Sequence, residues 1–141
     1  SLVFQNLKAP MLDDRTCLRT DISPFIGEFL WTPDQNRFGW TAFLGHAPGI
    51  EGVSPYAAPA RATTLAGLPP TFISVGSIDL FLEENLEYAR RLAVAGVPIE
   101  LHVYPGGFHG FDMIPGAAIG ASASSASQDS MRKAFATSPA P

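Results

Sequence analysis

Three observations predict an α/β fold built on a mostly parallel sheet flanked by helices. Two runs rich in β-branched and apolar residues, Thr71-Phe-Ile-Ser-Val-Gly76 and Ile99-Glu-Leu-His-Val-Tyr104, flank one amphipathic helical stretch, the order of a βαβ unit. Each run leads into a turn that carries a chemically useful side chain, Asp79 after the first and His109 after the second. The chain has 141 residues, 46% of them apolar and 16% charged, enough for one domain with a sizeable core.

Leu2 to Ala9 reads as a first strand, ended by Pro10. A chain that opens on core-strand material is expected to be the later part of a longer protein; the competing reading is a processed start. Thr32-Pro33-Asp34-Gln35 starts a helix: Thr32 can cap, Pro33 suits the first position, and Gln35 completes a capping box. Gly45 is placed to end it. Residues 46 to 70, with five prolines (48, 55, 59, 69 and 70), read as loop. Thr71 to Gly76 then reads as a strand buried on both faces.

Leu82 to Ala95 reads as a helix whose apolar stripe is Leu82, Leu86, Ala89 and Ala93. Glu83, Glu84 and Glu87 near its start and Arg90 and Arg91 near its end suit the helix dipole. Gly96 and Pro98 stop it, and Ile99 to Tyr104 follows as a strand parallel to the previous one, joined by a right-handed crossover. Residues 116 to 130, rich in Gly, Ala and Ser, read as a weakly patterned linker. A last helix is expected over Ser127 to Ala136, with a frayed tail from Thr137 to Pro141.

Composition narrows the function. A formal net charge of −4 disfavours nucleic acid, since phosphate binding wants a basic surface. The single cysteine, Cys17, cannot form an internal disulfide and reads as a small buried residue. There is no transmembrane run of 18 apolar residues and no visible signal peptide, so the cytoplasm is the expected location. The three histidines have no metal-ligand spacing, and neither a dinucleotide nor a Walker glycine pattern occurs, so no cofactor is expected.

The pair Asp79 and His109 carries the chemical reading. In open parallel sheets ligands bind beyond the carboxyl ends of the strands, and both residues fall there. Neighbouring strands lie about 4.8 Å apart, so short loops can bring the two side chains into contact while the crossover helix absorbs the intervening sequence. His109 could take a proton from a hydroxyl and return it to a leaving group, with Asp79 fixing its tautomer. An acid followed by a histidine is the second half of a Ser…Asp…His triad, yet no G-x-S-x-G turn occurs in the chain. Each residue also has a plain reading: Asp79 as a helix cap, His109 as a satisfied histidine. His102, inside a strand, reads as a packed sheet residue, and His46, after a helix end, as a C-terminal capping cation.

Five phrases in register carry a resemblance. Pro10-Met-Leu-Asp-Asp-Arg15, Tyr56-Ala-Ala-Pro-Ala-Arg61, Gly67-Leu-Pro-Pro-Thr-Phe72, Val75-Gly-Ser-Ile-Asp79-Leu and Tyr104-Pro-Gly-Gly-Phe-His109-Gly-Phe111 together resemble the hormone-sensitive-lipase-like esterases, the α/β hydrolase fold-3 group, over about residues 2 to 135. The resemblance implies that residues 1–141 are the C-terminal part of an α/β-hydrolase domain. The N-terminal cap, the H-G-G-G oxyanion loop and the nucleophile elbow would lie upstream. It implies hydrolysis of small-molecule carboxylic esters without metal or organic cofactor, with the catalytic acid on Asp79 and the catalytic histidine on His109. The serines at hand fail the elbow pattern: Gly52-Val-Ser54-Pro-Tyr56 lacks its second glycine and Ser74 sits in a strand. The fragment by itself is therefore expected to be inactive.

The family also implies a homodimer surface on the last strand and helix. For Phe25, Phe29, Trp31, Phe38, Trp40 and Phe43 a place in the core of the helices packed on the sheet competes with substrate contact. The alternative function is a non-catalytic α/β-hydrolase-like module that binds a ligand or partner.

Overall fold

The computed structural model describes residues 2–137. Strand β1 (Gln5–Lys8), helix α1 (Pro33–Leu44), strand β2 (Thr71–Gly76), helix α2 (Leu82–Val94), strand β3 (Ile99–Tyr104) and helix α3 (Ala118–Thr137) follow in that order. Short 3₁₀ turns cover Thr16–Leu18, Pro59–Arg61 and Phe111–Met113. The three strands form one parallel sheet in the order β1-β2-β3. All six residues of the central β2 are buried, as its unbroken apolar run requires. The expected first strand, Leu2 to Ala9, is paired only over Gln5–Lys8.

The pairing register explains the two faces of the sheet. Leu7, Ile73 and Leu101 stand side by side on one face, and there Ile73 joins Leu12, Leu65, Tyr88, Ala89, Leu92 and Val97 in a core under α2. On the other face Asn6, Phe72 and Glu100 form one row and Lys8, Ser74 and His102 the next. That face is polar, and α3 meets it with small residues. Asn6 donates to Ser127 Oγ at 2.8 Å, Ser130 donates to Glu100 at 3.0 Å, and Ala123 packs with Tyr104 and Phe111.

Helix α1 starts as its capping box dictates. Thr32 accepts from the Gln35 N–H, Gln35 reaches back to the Thr32 N–H, and Gly45 ends the helix in the left-handed conformation. Helix α2 occupies Leu82–Val94 as its sequence indicates, but its buried face is rotated from the expected stripe. Phe81, Glu84, Asn85, Tyr88, Ala89 and Leu92 point inward, whereas Leu86 and Ala93 are exposed. The cause is the loop after β1, which offers main-chain groups beside its buried Leu12: Asn85 donates to Pro10 O at 2.9 Å and Glu84 accepts from Leu12 N–H at 2.6 Å. Glu84 is thus a buried carboxylate, not an exposed partner of the helix dipole.

Two further expectations are corrected. The linker assigned to residues 116 to 130 is mostly helix, since α3 begins at Ala118. Its alanines favour helix, and its serines are recruited by the polar face of the sheet rather than by an apolar stripe. The aromatic stretch does not form one core: Trp40 is fully buried, but Phe25, Phe38 and Phe43 are 71%, 76% and 64% exposed. One face of α1, carrying Asn36 and Trp40, is inside, and Phe38 lies off it; Phe43 meets the Trp40 ring at 6.2 Å but keeps most of its own surface exposed. The frayed tail expected to the C-terminus lies, from residue 138 onward, outside the described residues. Among the described residues no helix is long and apolar enough to cross a membrane.

Candidate active site

Parallel pairing of β2 and β3 brings Gly76 opposite Tyr104, so the two loops that follow leave the sheet side by side. Main-chain bonds join them: Ser77 N–H donates to Tyr104 O at 2.9 Å and Ile78 N–H to Gly107 O at 3.0 Å. A Cβ on Gly76 would stand 2.0 Å from Gly107 O. Only a glycine lets the two backbones come this close.

These loops bring together the two residues singled out from the sequence. His109 Nδ1 lies 3.0 Å from Asp79 Oδ2. Asp79 is fully buried, and the His109 side chain is 28% exposed. Asp79 Oδ1 accepts from the Phe81 N–H at 2.9 Å, so one carboxylate oxygen secures the entry to α2 and the other holds the imidazole. That bond closes a turn ahead of the helix: the N-cap of α2 is Phe81, which has no side-chain cap bond, so Asp79 is not the helix cap that its plain reading offered. A carboxylate can only accept, so this contact calls for the proton on Nδ1, and in the neutral ring the lone pair is then on Nε2.

Aromatic rings fix the plane of the imidazole. Phe81 meets His109 edge-on with centroids 5.2 Å apart, and Trp31 lies 5.7 Å away, tilted by 40°. Trp31 is itself anchored, its indole N–H donating to Asn36 Oδ1 at 3.3 Å. The turn before it is strained: Leu30 has φ +60, and Trp31 N–H donates to Phe29 O at 2.7 Å, a tight turn that a bulky residue rarely adopts. This turn sets Phe29 against Phe108, with ring centroids 5.8 Å apart. The exposed Phe29, Leu30 and Met113 give the surroundings an apolar rim.

The other candidates stand elsewhere. His102 packs on the Phe72 ring at 5.2 Å, and its Nε2 lies 2.8 Å from Glu100, whose other oxygen accepts from Ser130. In that chain the carboxylate separates the hydroxyl from the imidazole, so Ser130 has no base. The contact with His102 holds the Glu100 carboxyl below its usual range. His46 bonds the carbonyl of its neighbour Ala47 at 2.9 Å rather than a carbonyl of α1; Gly45 has already closed that helix. Cys17 is buried, its thiol 3.5 Å from Asp14 O, and burial pushes its pKa up. It has the buried place expected of it.

Sequence reasoning missed Ser77, whose Oγ accepts from the Gly106 N–H at 2.8 Å. It left Trp31 undecided between core and substrate contact, and Trp31 lies against the histidine. Glu84 could have been found: stepping by helical turns from Phe81 instead of Leu82 puts it on the inner face.

The phrases that carried the resemblance prove to be joints of the fold. Asp14 and Arg61 form a buried bidentate pair at 2.8 and 2.9 Å, and Asp14 also accepts from the Gly49 N–H at 2.6 Å. Arg91 donates to Ala60 O at 2.7 Å and also to Ala62 O.

A family profile described as alpha/beta hydrolase fold matches residues 1–113. Among solved structures, a bacterial heroin esterase superimposes with a TM-score of 0.84 at 36% identity, covering 94% of this chain and 43% of that one. Esterase LipW from Mycobacterium marinum gives a TM-score of 0.79 at 35% identity, covering 95% of this chain and 41% of that one. Esterase LipI of Mycobacterium tuberculosis is 43% identical over 54 residues, 38% of this chain and 17% of that protein. The chain thus spans less than half the length of these solved structures.

Proposed function

The chain belongs to the alpha/beta hydrolase fold family, among its hormone-sensitive-lipase-like esterases, and from that premise we propose that Asp79 and His109 are the acid and base of a Ser-Asp-His triad hydrolysing carboxylic esters. One observation carries the reading: His109 Nδ1 is tied to the buried Asp79 at 3.0 Å, which leaves Nε2 as the ring nitrogen to meet a nucleophile. The nucleophilic serine would come from sequence upstream of Ser1, because no G-x-S-x-G turn occurs within the chain.

The chemistry follows from the side chains. As the serine Oγ attacks the ester carbonyl, its proton moves to His109 Nε2, and the new C–O bond gives a tetrahedral adduct. The imidazolium returns that proton to the departing alkoxide as the ester C–O bond breaks, leaving an acyl-enzyme. Water then gives a proton to His109 Nε2 as it attacks the acyl carbonyl, the acyl C–Oγ bond breaks with the proton returned to the serine Oγ, and the carboxylic acid is released. Asp79 stays a hydrogen-bond acceptor throughout and stabilises the charged ring. The apolar rim of Phe29, Leu30 and Met113 suits small apolar esters better than charged ones.

The test is turnover of p-nitrophenyl butyrate by the enzyme completed with its upstream sequence. His109→Ala and Asp79→Asn should each lower kcat by roughly 10³- to 10⁴-fold. Equal turnover in the His109→Ala variant would sink the role given to it. A completed chain whose elbow lacks serine would favour a binding module instead.

A further inference from the structure

The histidine loop opens on a turn, Tyr104 to Gly107, closed by the Gly107 N–H donating to Tyr104 O at 3.1 Å, and it then runs through glycine toward His109. Between Tyr104 and His109 stand Pro105, Gly106, Gly107 and Phe108, and Gly106 has φ +73. Two consecutive glycines leave this stretch more conformational freedom than any other pair of residues would. Yet His109 must present Nδ1 to Asp79 at 3.0 Å, and positioned catalytic groups tolerate errors of only about 0.5 Å.

Three hydrogen bonds lace the histidine loop to the acid loop. Two are main chain, from Ser77 N–H to Tyr104 O and from Ile78 N–H to Gly107 O. The third comes from a side chain: Ser77 Oγ accepts the Gly106 N–H at 2.8 Å. The main-chain pair grips the loop at its root and at Gly107, and the hydroxyl ties the turn between them, already closed from Gly107 N–H to Tyr104 O, to the segment that carries Asp79. Ser77 lies two residues before Asp79, so one short segment carries both the acid and the group that shapes the base's loop.

We infer that Ser77 is a positioning residue, whose hydroxyl sets the Gly106–Gly107 turn so that the His109 imidazole meets Asp79. The inference rests on the triad reading above. It makes a demand that a purely structural serine would not. Water can replace the hydroxyl at the exposed Gly106 N–H, so the cost to folding is small. The cost to the alignment of His109 is large.

The experiment compares Ser77→Ala, Ser77→Cys and Ser77→Thr with the wild type in the enzyme completed with its upstream sequence. The first readout is the far-downfield imidazole N–H proton resonance, assigned by its loss in His109→Ala. The second is the split between kcat and KM. Ser77→Ala and the near-isosteric Ser77→Cys should lose the resonance to solvent exchange and lower kcat about tenfold at nearly constant KM. Ser77→Thr, which keeps a hydroxyl, should restore both, and unfolding midpoints should move little. A resonance and kcat unchanged in both Ser77→Ala and Ser77→Cys would overturn the inference while leaving the triad reading intact. A wild type without the resonance would overturn the Asp79–His109 pairing itself, and the inference with it.

Discussion

Gly76 and Gly107 touch through bare backbone: a Cβ on Gly76 would lie 2.0 Å from Gly107 O and 2.9 Å from its Cα. The strand that leads to Asp79 and the loop that leads to His109 therefore meet at a glycine–glycine contact. Gly76→Ala cannot be absorbed by a side-chain rotation, because the obstructing atoms are main chain. The expected result is a loss of about 1–3 kcal/mol of stability, the usual range for overpacking. The Ile78–Gly107 bond should lengthen and ester turnover should fall at least tenfold. Urea unfolding, and kcat on p-nitrophenyl butyrate in the enzyme completed with its upstream sequence, check both halves.

Glu84 should make stability fall as pH rises. Burial pushes its pKa up from 4.5 to about 8, against the pull of the Leu12 N–H, the Thr16 hydroxyl and the Asp13 N–H. A folded pKa above the unfolded one means that the native state holds the proton more tightly. The stabilisation is full below about pH 4.5 and is lost as pH climbs through about 8. The loss is on the order of a few kcal/mol. Glu84→Gln keeps an acceptor for Leu12 N–H but cannot ionise. Its unfolding midpoint should stay level between these limits and exceed that of the wild type above pH 8. Parallel curves for the two proteins would refute the assignment.

The Asp14–Arg61 pair is a different kind of charge. Asp14 is fully buried and Arg61 nearly so. Burial alone would raise the Asp14 pKa, but the Arg61 hydrogen bonds, the Gly49 N–H and the guanidinium charge together hold it below its ordinary value. This group stabilises the fold above the unfolded carboxylate pKa, and the effect fades as pH drops through the lower folded value. Arg61→Ala would strand the buried carboxylate and should cost roughly 3–5 kcal/mol. Arg61→Lys should recover part of that cost, because a lysine cannot reproduce the bidentate geometry. Chemical denaturation of the three proteins at neutral pH measures the series.

What the sequence disclosed was what local signals control. The capping box at Thr32 and Gln35, the β-branched runs of β2 and β3, and the stop at Gly96 each act within a few residues, so those elements lie where they were expected. The closeness of Asp79 and His109 was legible because parallel pairing converts sequence order into adjacency. Helix α3 was hidden for the opposite reason. Its inner residues, Ala123, Ser127 and Ser130, are small because the sheet face beneath them carries Asn6 and Glu100, so no apolar periodicity marks the helix. The face of α2 was misjudged because Glu84 and Asn85 are buried by main-chain partners that a hydropathy pattern does not register. Trp31 reaches His109 only through a strained loop that no periodicity announces.

Trp31 supplies the last prediction. Its ring lies 5.7 Å from the His109 ring, and its indole N–H is held by Asn36, which is fully buried at the start of α1. The contact spans a chain of supports, from α1 through Asn36 and Trp31 to the imidazole. Trp31→Ala would remove one wall of the histidine and also leave Asn36 Oδ1 without its donor. Trp31→Phe would keep a ring against His109 while removing only the hydrogen bond. If the ring orients His109, Trp31→Phe should retain most of kcat, whereas Trp31→Ala should lower it about tenfold, the order of effect expected when a member of the proposed triad is loosened. If the Asn36 bond is what matters, the two variants should be equally impaired, and Asn36→Ala should match them. Steady-state kinetics on all three variants, in the enzyme completed with its upstream sequence, separates the two.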